Sequence, residues 1–121
     1  MLYALLCYHD EAVVTSRPKE EDDAVIAKRR KVTDPLAAGG KLAAVIRLMP
    51  TTAATTLRMG RDPVVLDGPF AETKEALLGL YIVDCPSLEN AIELARQIGR
   101  EEKVVFEIRP VRRFEPQGKT A

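Results

Sequence analysis

Hydrophobic and polar positions alternate along this chain in short blocks, and the blocks predict a small α+β domain. Leu2–Tyr8 (LYALLCY) is an apolar run with aromatics near both ends and predicts a buried strand close to the middle of a sheet. His9, Asp10 and Glu11 then read as a polar loop leaving it. Pro18 to Thr33 predicts a helix, with Ser16 as its cap and proline tolerated in the first turn. Acids crowd its start (Glu20 to Asp23) and bases its later turns (Lys28 to Lys31), in the sense that suits the helix dipole. Its apolar stripe is thin, consisting of Val25, Ile26 and Val32. Asp34–Pro35 is expected to kink or end the helix, with Gly39–Gly40 as the stop.

Lys41–Met49 (KLAAVIRLM) predicts the second strand, closed by Pro50. Thr55–Met59 and Val64–Leu66, separated by the turn Gly60–Arg61–Asp62–Pro63, read as a short hairpin at the rim of the molecule. Leu77–Asp84 (LLGLYIVD) is a strongly apolar strand. Its Gly79 signals a bend or the close approach of another backbone. Ser87 caps a helix over Leu88–Ile98, with Ala91, Ile92, Ala95 and Ile98 as the packing face and Leu94 widening it. Lys103–Ile108 is the last strand. The domain spans 1–113, and residues 114–121 are expected to form a flexible tail.

Two helices over one face of a largely antiparallel sheet make a two-layer α+β arrangement. The second face of the sheet has no helix to cover it, although LLGLYIVD is apolar on both sides. The economical cover is a second copy of the chain, which predicts a homodimer.

Composition narrows the function classes. The chain has 121 residues, 46% of them hydrophobic and 30% charged, with 18 Lys plus Arg against 18 Asp plus Glu. A balanced charge gives no support for direct nucleic-acid binding. No apolar run approaches the roughly 18–20 residues that span a membrane, so no membrane partner and a cytoplasmic location are expected. Cys7 and Cys85 sit in apolar runs and read as two buried free thiols. With one histidine and no CxxC pair, no metal site is predicted, and nothing signals a cofactor.

The densest polar segment is Asp67-Gly68-Pro69-Phe70-Ala71-Glu72-Thr73-Lys74-Glu75 (DGPFAETKE). It resembles the signature of the DGPF branch of the YCII-related family. Ala54–Thr56, Leu80–Asp84, Glu107–Val111 and the opening Leu2–Tyr8 with Asp10–Glu11 are similar to family segments too, so that the resemblance covers roughly residues 1–113. It implies a ferredoxin-like two-layer sandwich that dimerises into an α+β barrel. Members are often encoded beside, or fused to, sigma factors of the extracytoplasmic type. The wider superfamily holds isomerases, monooxygenases and haem enzymes, and fold alone does not choose among them. Many members carry a histidine on the first helix near an aspartate; here that place falls on Lys28, so the pair is missing in its usual form.

Asp67, at a strand end before a rigid Gly-Pro turn, is the leading candidate for general acid–base work or for orienting a substrate; alternatively its carboxylate holds the turn. Lys28 is a second catalytic candidate, set against the reading of Lys28–Lys31 as a solvated helix face. His9 is the third, as the one side chain that titrates near neutrality unaided, set against a solvent-facing loop residue. Arg109, Glu72, Lys74 and Phe70 are the ligand-binding candidates. Arg109 could hold an anion or pair with Asp67 or Glu72. Three functions follow: a small enzyme acting by proton transfer on a small polar organic molecule, a non-catalytic small-molecule-binding or sensing dimer linked to sigma-factor regulation, and a structural or protein-interaction dimer.

Overall fold

In the computed structural model, which describes residues 1–117, the first strand runs further than its apolar block. β1 spans Leu2–Asp10, and its inward residues Tyr3, Leu5, Cys7 and His9 are all buried. His9 is therefore not in a loop. It continues the two-residue alternation by two positions, and its neighbour Asp10 ends the strand by capping a helix. That helix, α1 (Glu11–Thr15), falls where a loop is expected; the Asp10 carboxylate accepts from the Ala12 amide at 3.0 Å.

Ser16 closes α1 rather than opening the next helix, its amide reaching the Ala12 carbonyl at 3.2 Å. α2 (Lys19–Ala38) starts from Pro18 with no side-chain cap and does not end at Pro35 but continues to Ala38. Proline forfeits one hydrogen bond there, but Val32 and Leu36 on the same side pack against the core and keep the last turn helical. Closure comes from Gly39 and Gly40, whose amides bond to Pro35 and Ala37, with Gly40 in the left-handed region at φ 71°. With the helix end displaced to Ala38, the Lys28–Lys31 run lies in mid-helix, away from the negative pole.

The main sheet joins β2 (Leu42–Arg47), β5 (Glu75–Asp84), β1 and β6 (Val105–Pro110) in the order β2-β5-β1-β6, every neighbour antiparallel. With α2 and α3 (Leu88–Ile98) on one face, this is the ferredoxin-like α+β arrangement. The strand limits differ from the apolar runs by a few residues. β2 loses Lys41, Leu48 and Met49, while β6 starts two residues later because a turn through Arg100–Glu102 follows α3. Ser87 caps α3 as expected, accepting from Asn90 at 3.2 Å. Its packing face is Ala91, Leu94, Ala95 and Ile98; Leu94 belongs to the core, whereas Ile92 is 39% exposed. Leu5, Val83 and Ile98 form the fully buried centre, and Cys7 and Cys85 are buried free thiols. Among the described residues no helix is long and apolar enough to cross a membrane.

β3 (Thr55–Arg58) and β4 (Val64–Asp67) form a separate two-stranded arm, Thr55 opposite Asp67. Gly68 ends it in the left-handed region at φ 97°. Its amide bonds to the Ala54 carbonyl at 2.8 Å, and its carbonyl accepts from the Thr56 hydroxyl at 2.8 Å. The glycine of the Asp-Gly-Pro turn thus serves both strands at a backbone angle that side chains resist.

Gly79 answers the expectation of a close backbone approach. A Cβ there would lie 2.5 Å from the Ile46 carbonyl oxygen of β2. The partner strand β1 shifts register between Cys7 and Tyr8, opposite this glycine. Gly79→Ala is expected to destabilise the fold by about 1–3 kcal/mol through overpacking, read as a lower urea midpoint with unchanged slope.

Candidate functional site

The candidates separate into two groups in space. Asp67 is exposed at the end of β4, and Glu72 and Lys74 are exposed in the loop that leads to β5. Phe70 is 76% exposed, with the Arg58 guanidinium 5.4 Å above its ring. Arg109 is exposed on β6, on the sheet face away from the helices. None of these five lines the cavity described below. Lys28 and His9 lie on the helical side of the sheet.

Lys28 and Arg29 do not form a solvated face. Both reach across to Glu102, in the turn before β6, whose side chain is only 6% exposed. Lys28 Nζ donates to Glu102 at 2.8 Å and also to the Arg100 carbonyl. Arg29 makes a fork of 3.0 and 2.6 Å to the two Glu102 oxygens, and a further bond of 3.2 Å to the Tyr81 hydroxyl. The preceding residue, Glu101, sits at φ 66°, a strained angle that aims Glu102 beneath α2. Burial works against charge on Glu102, but the hydrogen bonds from Arg29 and Lys28 prevail and hold its carboxyl below the ordinary value. Burial likewise opposes charge on Arg29, and Glu102 outweighs it, raising Arg29 above its usual value. Burial pushes the Cys7 thiol up, although Arg29 lies 3.9 Å from its sulfur; Cys7 is a poor thiolate.

Beside this cluster, a cavity of about 220 Å³ opens between α2, the α1–α2 turn and strands β1, β5 and β2. Its apolar wall includes Val14, Val25, Ile26, Val45 and Leu78; its polar wall includes His9, Arg17, Asp22, Arg29, Arg47 and Tyr81. His9 is 5% exposed. Its Nδ1 faces the Asp10 carbonyl at 3.2 Å, so this nitrogen carries the proton, and Nε2 is left as an acceptor 3.4 Å from Arg17 Nη2. The side chain of Arg17 is 11% exposed and lies 3.8 Å from Asp22. Asp22 is taken up by Arg47, which grips it with bonds of 3.0 and 2.7 Å. Those bonds, against the opposing effect of burial, hold the Asp22 carboxyl below its ordinary value. The set can bind an organic group of modest size and present it to the His9 imidazole.

Of the residues gathered here, sequence reasoning singled out His9 and Lys28 as candidates and did not single out Arg17, Asp22, Arg47, Arg29, Tyr81 or Glu102. One signal was available: Arg47 is the lone charge inside the apolar strand LAAVIR.

Glu102→Gln leaves two cations short of a counter-charge and is expected to cost about 3 kcal/mol at neutral pH. Because the folded Glu102 carboxyl titrates below its ordinary 4.5, its stabilisation is complete above that pH and is lost as the pH falls through the folded value. The wild type should therefore lose stability on acidification below pH 4.5 more steeply than Glu102→Gln, as measured by urea melts across pH.

Residues 1–115 match the YCII-related domain. The chain is also similar to an uncharacterised protein of Rhizobium meliloti (strain 1021), with 46% identity over 119 residues covering 96% of each chain. Match and fold agree over the same span, and the chain belongs to the YCII-related domain family.

Proposed function

We propose that the protein binds a small polar organic molecule in the cavity beneath α2 and transfers a proton to or from it through His9. The observation that carries this reading is the state of His9: buried, fixed in one tautomer by the Asp10 carbonyl, and left with Nε2 as an acceptor on the cavity wall. A general base needs a lone pair, a defined direction and a site to face, and His9 has all three once the long 3.4 Å contact from Arg17 to Nε2 gives way to a ligand. Asp67 has the last of these only if another chain covers it. Acid–base chemistry therefore centres on His9 here, while Asp67, Phe70, Glu72, Lys74 and Arg109 belong to the outer surface.

That outer surface supports a homodimer as the second part of the proposal. The arm is a two-stranded ribbon, which is marginal in water without cover. It exposes Leu57, Met59, Val64, Val65 and Leu66, and the nearby β2 edge exposes Ile46, Leu48 and Met49. The helix-free face of the sheet carries Leu6, Leu80 and Ile82, only half-buried. A second copy related by two-fold symmetry covers all of these at once and places Asp67 and its neighbours at the subunit boundary.

In an NMR screen of neutral and charged small molecules, binders should move the Gly79 and His9 resonances and be expelled by Ile26→Phe, which fills the cavity. Hits that survive Ile26→Phe would place the function elsewhere. For a carbonyl compound that binds, exchange of its α-hydrogens in D2O should fall by about a hundredfold or more in His9→Gln. Equal exchange in both proteins would leave binding without catalysis. Sedimentation equilibrium should show a dimer that Val65→Glu converts to monomer; a wild-type monomer would refute the assembly.

A further inference from the structure

Four arginines, Arg17, Arg29, Arg30 and Arg47, line the cavity; Arg30 is exposed, and the partners of the other three differ sharply. Arg29 is forked onto Glu102, and Arg47 onto Asp22. Each of those carboxylates is held bidentate, the geometry that satisfies a guanidinium best. Among the described residues Arg17 has no such partner. Its side chain is 11% exposed, its nearest carboxylate oxygen is 3.8 Å away on Asp22, and its one side-chain hydrogen bond is the 3.4 Å contact to His9. A guanidinium has five donors, and a buried one left nearly unpaired is costly. Asp22 is already taken by Arg47, and Glu102 is shared by Lys28 and Arg29, so the Arg17 charge is left at the cavity wall without a bidentate partner among the described residues.

Part of the remaining wall is apolar: Val25, Ile26, Val45 and Leu78 line it. About 220 Å³ corresponds to roughly seven waters' worth of space at ~30 Å³ each. Pro18 follows Arg17 directly, and the Arg17 amide bonds to the Val14 carbonyl at 3.3 Å, so the backbone that carries the guanidinium is held in place.

We infer that the ligand is a small monocarboxylate with a short apolar body, its carboxylate forked onto Arg17 and its adjoining carbon presented to His9. This rests on the cavity reading above and names the ligand class for that site. A carboxylate brings one pair of oxygens for the guanidinium that lacks a forked partner, and the apolar lining takes the body behind it. The planar carboxylate fits the guanidinium fork, as Asp22 on Arg47 already illustrates within the same cavity.

The test is titration of the wild-type protein with benzoate, butyrate, benzamide and inorganic phosphate at constant ionic strength, followed by the Gly79 and His9 resonances. Benzoate is expected to bind at least about tenfold more tightly than its uncharged isostere benzamide, the gain of one charge-assisted pairing. Arg17→Gln should bring that ratio close to one, and Arg17→Lys, which keeps the charge without the fork, should leave it in between. Benzoate and benzamide binding equally would overturn the carboxylate assignment and leave the cavity reading intact. So would phosphate competing as strongly as benzoate, since that describes a plain anion site. If neither acid moves a cavity resonance while a neutral or cationic compound does, the ligand class is wrong. If nothing does, the cavity reading falls with it. The wild-type series decides the matter even if the Arg17 variants fail to fold.

Discussion

The position of α2 depends on one buried carboxylate. Glu102, almost fully enclosed, takes both Lys28 and Arg29 and so clamps the middle of the helix to the turn between α3 and β6. α3 needs no such clamp, since Ala91, Leu94, Ala95 and Ile98 bury a full stripe of it against the sheet. α2 buries only Thr33 completely, although it is nearly twice as long. A helix held by apolar packing closes onto its sheet until the space is filled. A helix held by ions, here at Glu102 and through Asp22 at Arg47, can stand away from it. The cavity lies where apolar packing gives out, between the clamp and the α1–α2 turn, and the same arginine that anchors the helix reaches Tyr81 on the cavity floor.

This explains why so much of the fold was legible in the sequence and so little of the site. β1, β5 and α3 are elements whose apolar periodicity continues directly into their packing, and each lies within a few residues of its expected span. The α2 terminus misled because the proline signal is local, whereas Val32 and Leu36 pay for the lost bond through contacts made elsewhere in the chain. α1 was hidden because a five-residue helix has too little periodicity to show; only the capping aspartate announced it. The site pairs residues far apart in sequence, Asp22 with Arg47 and Arg29 with Glu102, and no pattern within a window connects them. His9 stood out because of its chemistry, not its surroundings: its burial follows from carrying the alternation of Tyr3, Leu5 and Cys7 one residue past the apolar run.

The glycines tell the same story at backbone level. Gly68 is required by a φ of 97° at the base of the arm, and Gly79 by the Ile46 carbonyl pressing on the strand. Both were visible as glycines in strand or turn contexts, yet only the second bears on the cavity, where it lets β2 approach β5 and brings Val45 and Arg47 to the wall.

Cavity and arm share a joint. Glu11 on α1 receives the amide of Thr51 at 2.7 Å and the hydroxyl of the same residue, pinning the turn that leads into β3. Asp22 on α2 grips Arg47 at the end of β2, just before that turn. The root of the arm that leads into β3 is therefore held at two points by the short stretch of chain, α1 through the first turns of α2, that also supplies Val14, Arg17 and Asp22 to the cavity. A carboxylate entering beside Arg17 stands next to the Asp22–Arg47 pair, and any competition for Asp22 is transmitted to the strand from which the arm departs. In a small domain whose helix is tethered by charge, the contacts that select a ligand and the contacts that set the arm are drawn from the same few side chains.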